Sequence, residues 1–408
     1  MKRALQICYY PVRHVIAGGQ IRVSELAGLI TGLGYERKFL GIYPHRNDGW
    51  PTDFSISPTA NDWVFRVPYD FEMRLSDVIL LDRRFHNSVL AAAEAFDPSL
   101  LWFEHPFLWP VFRDWANRRH TRTKIVYSSH NVEWAMKSEM LERQQLVDDH
   151  CVQRLYATER DLLFSSDIVL CCSDDDHNIY RRHGRPDTVV VPNGATWPEL
   201  AMDTDEKELS RFRKKIPSAK YCLTFISSCH EPNWFGLRDL VLPHMKAGGL
   251  LQSATLILMG DICKLYEAWC LSMGEQIPGV ICVGRVTEAE KSAIFKLADI
   301  VVLPITAGGG TNLKTAEALM SKRVVVATDI AFRGFERHIN RQGIFCGTSN
   351  QFTEMLRQAI QFLDNTGFRA AAEMYCAQRL EYVADCCWPQ IVGEARKKLQ
   401  PLLFKKAS

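Results

Sequence analysis

The chain has 408 residues, more than one ordinary hydrophobic core holds, so its length predicts two domains. Hydrophobic residues make up 47% and charged residues 24% of the chain, which is the composition of a soluble globular protein. The formal net charge of +2 argues against a nucleic-acid or strongly acidic partner, and any basic surface must be local.

The thirteen cysteines are scattered and form no C-x-x-C motif, so no zinc ribbon or redox motif is expected. Several fall in apolar runs, such as Cys8, Cys222 and Cys282, which favours reduced buried thiols in a cytosolic protein. The apolar run at the start of the chain is too short for a signal peptide, and no apolar stretch is long enough to span a membrane. We therefore expect a cytoplasmic protein.

Short apolar runs alternate with longer amphipathic segments along most of the chain. The first series of predicted strands is ALQICYY, SLLWFEH, KIVYSSH, DIVLCCS and TVVVPNG, and the predicted helix GGQIRVSELAGLITGLG ends at Gly34. The second series is YCLTFISS, ATLILMG, GVICVG, DIVVLP and RVVVAT, and the chain after about residue 350 is predicted to be helical. Continuous Val/Ile/Leu runs are typical of parallel sheets covered on both faces, so the pattern predicts doubly wound α/β domains.

The break between the two series lies at residues 198–218, a polar and charged segment bounded by prolines. We predict a first Rossmann-like domain at 1–198, a second at 199–375, and C-terminal helices at 376–408. Doubly wound sheets bind ligands beyond the carboxyl ends of their strands, so two such domains that face each other would hold ligands in the cleft between them.

The segment 304–320, PITAGGGTNLKTAEALM, places three glycines between a predicted strand and a predicted helix. A loop of this kind presents free N–H groups and the positive end of the helix dipole to an anion. Gly309 and Gly310 let the backbone approach that anion closely, and Thr311 is a candidate helix cap. Lys314 lies in the first turn, where a cation is unfavourable for the dipole unless a phosphate lies at the helix tip.

Two other interpretations of this glycine segment follow from its residues. A P-loop needs G-x-x-x-x-G-K-[ST], and Lys314–Thr315 supplies the last pair, but Leu313 stands where glycine is obligatory. A tight strand–helix turn with a structural pair between Lys314 and Glu317, one helical turn apart, remains open. The segment by itself therefore indicates an anion site without excluding a structural turn.

Motifs along nearly the whole chain occur in a characteristic order. They are GGQIRVSELAGLITGLGYE, FDPSLLWFEHP, KIVYSSHNVEW, DIVLCCSDDD, VVVPNGA, FISSCHEPNWFGLRDL, LILMGD, VGRV, the glycine segment and CCWPQIVGEARKKL. In this order the sequence resembles the GT-B glycosyltransferases, in particular family four, which transfers sugar from a nucleotide donor with retention. The resemblance implies two Rossmann-like, doubly wound domains facing across a cleft, with a last helix that crosses back to the first domain. It also implies that the first domain binds the acceptor and the second binds the nucleotide sugar.

The resemblance assigns donor binding to residues of both domains. It implies that the glycine loop wraps the diphosphate, that Lys314 adds charge, and that Glu317 binds the ribose hydroxyls. The implied donor-binding residues are Gly18, Gly19, His230, Asn233, Arg285, Val286, Gly308, Gly309, Gly310, Thr311, Asn312, Lys314 and Glu317. The implied catalytic set is His130, Lys314 and Glu317, with His130 beside the transferring sugar. From the sequence around His130 alone, a strand-end histidine bonded to the backbone remains an alternative.

Two features depart from the family pattern. Gly309 stands where the first glutamate of the family's two-glutamate motif is usual, so the contact of that glutamate with the sugar is replaced or lost. The Arg and Lys that usually clamp the diphosphate after the first strand of the second domain are not evident, and His230 and Asn233 occupy that segment instead. These departures leave a catalytically impaired nucleotide-sugar binder open as an alternative.

Two further segments have competing interpretations. The run SDDDHN at 173–178 contains Asp-x-Asp, the metal clasp of the other nucleotide-sugar transferase fold, but acidic residues in the first turn of a helix are the favoured interpretation. The aromatic segment 105–115, with the basic residues of 118–124, would suit a lipid surface at the inner face of the membrane. Core packing by an amphipathic helix is the favoured interpretation there.

The leading hypothesis is a retaining transferase that needs neither metal nor cofactor and acts on a glycan or lipid-linked acceptor. An epimerase or a phosphorylase with the same fold, and a nucleotide-sugar-binding scaffold or partner subunit, remain as alternatives. The donor sugar, the base, the acceptor and the oligomeric state are not determined by these motifs.

Overall fold

The structure is a computed structural model that describes residues 2–10, 12, 18–43, 53–54, 56–64, 66, 70–143, 145–146, 149–195, 206–216, 219–308, 311–366, 374, 376–378 and 386–404. Contacts divide the chain into two compact units, Met1–Pro192 with Val392–Ser408, and Asn193–Ile391. Each unit contains a sheet of six parallel strands.

The first unit is built on a doubly wound sheet. Its strands are β1 (Lys2–Cys8), β2 (Tyr35–Gly41), β3 (Leu100–Phe103), β4 (Lys124–Ser128), β5 (Ile168–Cys171) and β6 (Val189–Val190). Its helices are α1 (Gly18–Gly32), α2 (Pro58–Val64), α3 (Phe71–Leu81), α4 (Arg83–Phe96), α5 (Trp109–Arg119), α6 (Glu133–Arg143), α7 (Asp149–Ser165) and α8 (Asp174–Arg182). The strand order β2-β1-β3-β4-β5-β6 reverses the direction of winding between β1 and β3, which is where such a sheet binds ligands.

The second unit has the strand order of the Rossmann fold. Its strands are β7 (Tyr221–Ile226), β8 (Ala254–Met259), β9 (Val280–Gly284), β10 (Ile300–Leu303), β11 (Val324–Thr328) and β12 (Ile344–Gly347). Its helices are α9 (Glu206–Lys215), α10 (Glu231–Gly236), α11 (Leu242–Met245), α12 (Ile262–Met273), α13 (Glu288–Leu297), α14 (Leu313–Met320) and α15 (Phe352–Asn365). The order β12-β11-β10-β7-β8-β9 puts the reversal of winding between β7 and β10.

The last helix, α16 (Trp388–Phe404), belongs to both units, because the contact division falls within it at Ile391 and Val392. Its end packs on the first sheet: the Phe404 ring stacks on Tyr35 with centroids 5.9 Å apart, and Lys124 donates to the Leu402 carbonyl at 3.0 Å. The predicted GT-B architecture, with a last helix that returns to the first domain, is confirmed. The assignment of the acceptor and the donor to separate domains, and their predicted limits, remain predictions.

Two edge strands, β2 and β12, are absent from the predicted series. Strand β2 reads YERKFLG, and its exposed residues Glu36 and Lys38 alternate with less exposed ones, because an edge strand keeps contact with water. Strand β12 has only four residues. The rule of continuous apolar runs finds central strands of a parallel sheet and misses strands such as these two.

The aromatic segment 105–115 packs into the core of the first unit. Trp109, Phe112 and Trp115 are buried, and the Trp115 indole donates to Glu94 at 2.6 Å. This confirms core packing as the interpretation of the segment. Among the helices that the structure describes, none has the length and apolar character needed to cross a membrane.

The thirteen cysteines are all free thiols, as predicted. All are buried except Cys229, which is exposed, and Cys282 and Cys346, which are half-buried. They contribute to the core as small apolar side chains.

Candidate active site

Polar side chains in both units gather where the winding of the sheet reverses. In the first unit they follow β1, β3 and β4, and in the second they follow β7 and β10. These are the two places where doubly wound sheets bind ligands, so each cluster is a candidate binding site.

The first cluster is centred on Glu104, which follows β3 and is fully buried. One carboxylate oxygen accepts a short hydrogen bond from the Gln6 amide, and the other lies 3.2 Å from His130 Nε2. Burial raises the pKa of Glu104 to about 7, against the opposing effects of the Gln6 hydrogen bond and the Arg22 charge. A carboxyl group with this pKa exchanges a proton near neutral pH.

His130 follows β4 and is 7% exposed. Burial, together with the positive charge of Arg22, holds the pKa of His130 well below its usual value, so its imidazole is neutral near pH 7. Its Nδ1 lies 3.4 Å from the Tyr10 hydroxyl, and its ring centroid lies 4.0 Å from that of His105. The bonds of His130 are therefore to side chains, and a backbone-bonded histidine is not the arrangement found.

The glycine pair that opens α1 lies beside this histidine. A Cβ atom on Gly19 would lie 2.5 Å from the Tyr10 hydroxyl oxygen and 3.7 Å from His130 Nδ1, so any other residue here would have to displace the Tyr10 side chain. Helix α1 begins at Gly18. The structure thus brings together Gly18, Gly19 and His130, as the motif order implies.

The second cluster is centred on Lys314, in the first turn of α14. Its ammonium group donates to Asn233 Oδ1 at 2.8 Å and to Ser227 Oγ at 3.2 Å, and it lies 5.6 Å from the centroid of the Phe225 ring. Burial lowers the pKa of Lys314 from 10.5 to about 7, and the negative charge of Glu317 only partly opposes this. The two hydrogen-bond partners of this cation are therefore neutral groups.

Glu317 is paired elsewhere. It accepts from Lys291 of α13 at 2.6 Å, and Lys291 also lies 2.8 Å from Glu288. The structural alternative, in which Lys314 and Glu317 pair along α14, is therefore wrong, because α13 supplies a closer cation for Glu317. The Lys314 ammonium group instead contacts Ser227, directly after β7, and Asn233.

Thr311 does not cap α14, contrary to the sequence interpretation. The N-cap position belongs to Asn312, which makes no side-chain cap bond. Thr311 instead accepts from the Asn193 backbone N–H at 3.1 Å through its hydroxyl, and from the Asn193 amide at 2.8 Å through its carbonyl. Thr311 lies one residue too early to cap, and its hydrogen bonds link the glycine loop to Asn193 within the second unit.

Other predicted donor-binding residues lie at the same edge of the second sheet. His230 precedes α10 at its N-cap position, and desolvation and the charge of Lys314 lower its pKa. Asn233 is buried and contacts Lys314, as described. Gly308 has a positive φ of 136°, and its carbonyl accepts a short hydrogen bond from Arg333. Gly309 and Gly310 lie outside the described residues.

The segment after β9 makes its own contacts. Arg285 forms a two-pronged ion pair with Asp261, with N–O distances of 2.7 and 3.0 Å. Val286 packs against the apolar cluster around Leu209 and Phe212. Their side chains are therefore engaged within the unit, and the predicted contact with a base involves the backbone there.

The acidic run forms the first turn of α8. The Ser173 hydroxyl accepts from the Asp176 N–H at 3.1 Å, and Asp174–Asp176 occupy the positive end of the helix dipole. This confirms the capping interpretation. Within the described part of the chain, no group of three or more His, Cys, Asp or Glu side chains is placed to hold a metal ion.

Gln6, Tyr10 and Glu104 are not among the site residues predicted from the sequence. One signal was available: Gln6 is a polar residue inside the apolar strand ALQIC, and Glu104 ends the apolar run LLWF. Buried polar groups need partners, so two of them on neighbouring strands of a predicted sheet indicate a shared site.

Two family models match the chain. A model described as a glycosyl transferase 4-like domain matches residues 17–194, and one described as glycosyl transferases group 1 matches residues 222–365. Together they span most of both units, and the chain belongs to the GT-B glycosyltransferases. A comparison with curated proteins finds no match.

Solved structures share this fold at low identity. Sucrose-phosphate synthase from Thermosynechococcus elongatus has a TM-score of 0.73 and 14% identity, over 98% of this chain and 99% of that one. Anabaena HepE, in complex with UDP and glucose, has a TM-score of 0.67 and 14% identity, over 98% and 99% of the two chains. WaaG, a glycosyltransferase involved in lipopolysaccharide biosynthesis, has a TM-score of 0.66 and 13% identity, over 99% and 100%.

Proposed function

We propose that this glycosyltransferase moves a sugar from a nucleoside-diphosphate sugar to a hydroxyl acceptor, with retention of configuration. The observation that carries the proposal is Lys314, a partly buried cation at the switch point of the second sheet whose hydrogen-bond partners are neutral. Among the residues that the structure describes, no carboxylate is paired with this ammonium group, which is costly for a buried cation, and a diphosphate at the helix tip would supply an anionic partner. HepE, which shares the fold, binds UDP and glucose.

The chemistry needs a place for the negative charge that grows on the leaving diphosphate. The first turn of α14 supplies N–H groups and a helix dipole, and Lys314 supplies a positive charge; such preorganised groups stabilise developing charge. In this proposal His130 positions the sugar or the acceptor hydroxyl and is not a nucleophile. Glu317 binds the ribose, and its pair with Lys291 holds it in place.

We propose that no metal ion takes part, since Lys314 and the helix terminus can neutralise the diphosphate. Transfer should then continue unchanged after treatment with a chelator. A loss of turnover that added Mg²⁺ or Mn²⁺ restores would contradict this part of the proposal.

The donor is tested by thermal shift with UDP, GDP, ADP and their sugars. Ligand stabilisation grows with the logarithm of ligand concentration over the dissociation constant, so the true donor should stand out. Donor hydrolysis without acceptor then reports an intact transferase site. Lys314→Ala should weaken binding, whereas the matched control Lys397→Ala, on the exposed face of α16, should not. Equal binding by the wild type and Lys314→Ala would refute the proposed donor site.

A second candidate is a nucleotide-sugar binder with impaired catalysis. The observation in its favour is Gly309, at the position of the glutamate that is usual in the family. This candidate predicts thermal stabilisation by a nucleotide sugar with neither hydrolysis nor transfer.

We propose that the acceptor is a glycan or a lipid-linked glycan of cell-surface polysaccharide synthesis, and that the protein acts on it in the cytoplasm or at the inner membrane face. A vesicle flotation assay with and without anionic lipid tests the membrane association.

A further inference from the structure

The hydrogen bonds around His130 determine which of its two ring nitrogens carries the proton. We propose that Glu104 is a positioning residue that holds neutral His130 with its proton on Nε2, so that Nδ1 meets the substrate as a hydrogen-bond acceptor. The substrate group that fits an acceptor is a sugar hydroxyl that donates. The inference rests on the proposed function for its substrate, whereas the position of the proton is a property of the protein alone.

The first step concerns Gln6, whose amide has one allowed orientation. Arg37 donates to its oxygen at 2.9 Å, so its nitrogen faces the other way and donates to the Val23 carbonyl at 3.1 Å and to Glu104. The reverse orientation would place the amide nitrogen against Arg37 and the oxygen against two acceptors. Gln6 is fully buried, so water cannot relieve such a mismatch.

The second step concerns Glu104, whose two oxygens have different partners. One is occupied by the Gln6 nitrogen, and the other faces His130 Nε2 at 3.2 Å. An ionised carboxylate only accepts hydrogen bonds, so above the Glu104 pKa of about 7 His130 must donate from Nε2. A neutral imidazole has one N–H group, which leaves Nδ1 with a free lone pair.

The third step concerns the side of the ring that carries Nδ1. The Tyr10 hydroxyl lies 3.4 Å from Nδ1 and stays protonated because burial raises its pKa; this contact is long, and a substrate hydroxyl that donates to Nδ1 would replace it. Gly19 also lies on this side, where any Cβ would approach Nδ1 to 3.7 Å. The acceptor nitrogen therefore faces the glycine turn at the start of α1, the place where the switch point of the first sheet receives a ligand.

The substitution Glu104→Gln tests the inference because it keeps the shape and changes the hydrogen-bonding pattern. Gln6 still requires an acceptor, so the oxygen of the new amide turns to Gln6 and its nitrogen donates to His130 Nε2. The proton of His130 then moves to Nδ1. In spectra of ¹⁵N-histidine-labelled protein, with His130→Asn used for assignment, the protonated nitrogen should change from Nε2 to Nδ1.

The value of kcat should depend on which nitrogen of His130 carries the proton. In Glu104→Gln the substrate hydroxyl faces an N–H group at His130 Nδ1 in place of a hydrogen-bond acceptor, so kcat should fall roughly 10- to 100-fold. The dissociation constant of the nucleotide sugar should stay the same. The control Glu394→Gln, at an exposed residue of α16, should leave both unchanged. The exchange Gln6→Glu with Glu104→Gln gives residue 104 an acceptor for its amide nitrogen, so it should restore the Nε2 proton and part of kcat, although the Val23 carbonyl loses its donor.

The pH profile gives a second readout. The charged and titratable groups that face the pair are Arg22 of α1, Arg37 of β2, Cys8, Tyr10 and His105. The pKa values of Cys8 and Tyr10 are raised and that of His105 is lowered by burial, so Glu104 is the group among these that titrates near pH 7. Protonation of Glu104 removes the acceptor for the Nε2 proton, so kcat should fall as the pH drops below about 7 in the wild type. The Glu104→Gln variant should lack this step.

Two results would overturn the inference: a proton on Nδ1 in the wild type at a pH above about 7, where Glu104 is ionised, or a kcat that does not follow the proton across the wild type and both variants. If the wild type turns over no nucleotide sugar, the proposed function and the hydroxyl assignment fail together, and the spectra still decide where the proton lies.

Discussion

Lys314 leads to a prediction in which the pH dependence of donor binding comes from one side chain. Its pKa falls from 10.5 to about 7 on burial, which corresponds to roughly 5 kcal/mol of unfavourable charging free energy in the folded protein. A diphosphate at the start of α14 favours the charged form and raises this pKa again. Binding of UDP should therefore take up a proton above pH 7.

The direction of the pH effect on UDP affinity follows from the linkage between proton binding and UDP binding. Free Lys314 is increasingly neutral as the pH rises above about 7, whereas the bound form must be charged, so affinity falls by up to about tenfold for each pH unit. Between pH 7 and pH 9 the dissociation constant of UDP should rise roughly 30- to 100-fold. The pKa of His230 is lowered, so this neighbour is neutral throughout that window.

The variant Lys314→Met removes the charge and keeps most of the side-chain volume. The dissociation constant of UDP for this variant should be higher than that of the wild type by about tenfold or more at pH 7. It should not change from pH 7 to pH 9, and at pH 9 it should be close to the wild-type value. Its free energy of unfolding without ligand should be higher at pH 7 by at least about 1 kcal/mol, because a lysine with a depressed pKa destabilises the folded state below its unfolded pKa.

Isothermal titration calorimetry in buffers of different ionisation enthalpy measures both affinity and proton uptake. Equal pH slopes for the wild type and Lys314→Met would show that another group carries the dependence. A less stable Lys314→Met protein would show that the ammonium group is well satisfied in the free enzyme, and the argument for an anion there would fail.

Three further predictions concern other parts of the two sites. Gly19→Ala places a methyl group 2.5 Å from the Tyr10 hydroxyl and should lower kcat, and adding Tyr10→Phe should recover part of the loss; an unchanged kcat in Gly19→Ala would contradict the close approach. Asn193→Ala removes the side-chain hydrogen bond to the Thr311 carbonyl and keeps the one from the backbone N–H, so it should lower the free energy of unfolding by about 1–3 kcal/mol in urea titrations, together with weaker UDP binding. Ser173→Ala removes the cap of α8 and should cost about 1 kcal/mol of stability without making activity sensitive to metal ions; a new metal requirement would revive the metal-clasp interpretation.

Part of the site could be predicted from local sequence, because those features depend only on residues that are neighbours along the chain. Glycines that open a helix after a strand, as at Gly19, and a lysine in a first turn, as at Lys314, mark an anion site through backbone geometry and the helix dipole. The central strands were predictable for a similar reason, since burial on both faces demands continuous apolar residues. The edge strands β2 and β12 were not predicted, because β2 carries charged residues and β12 is short.

Tertiary structure alone decided the partners of these side chains. Spacing along α14 pairs Lys314 with Glu317, but Lys291 on another helix takes the glutamate, and Lys314 turns to Asn233. In the first unit, Glu104 meets His130 because parallel strands bring their carboxyl ends to one edge of the sheet. The sequence thus determined which chemical groups reach the two switch points. Long-range packing determined their protonation, because burial and partner choice act across separations that no local pattern encodes.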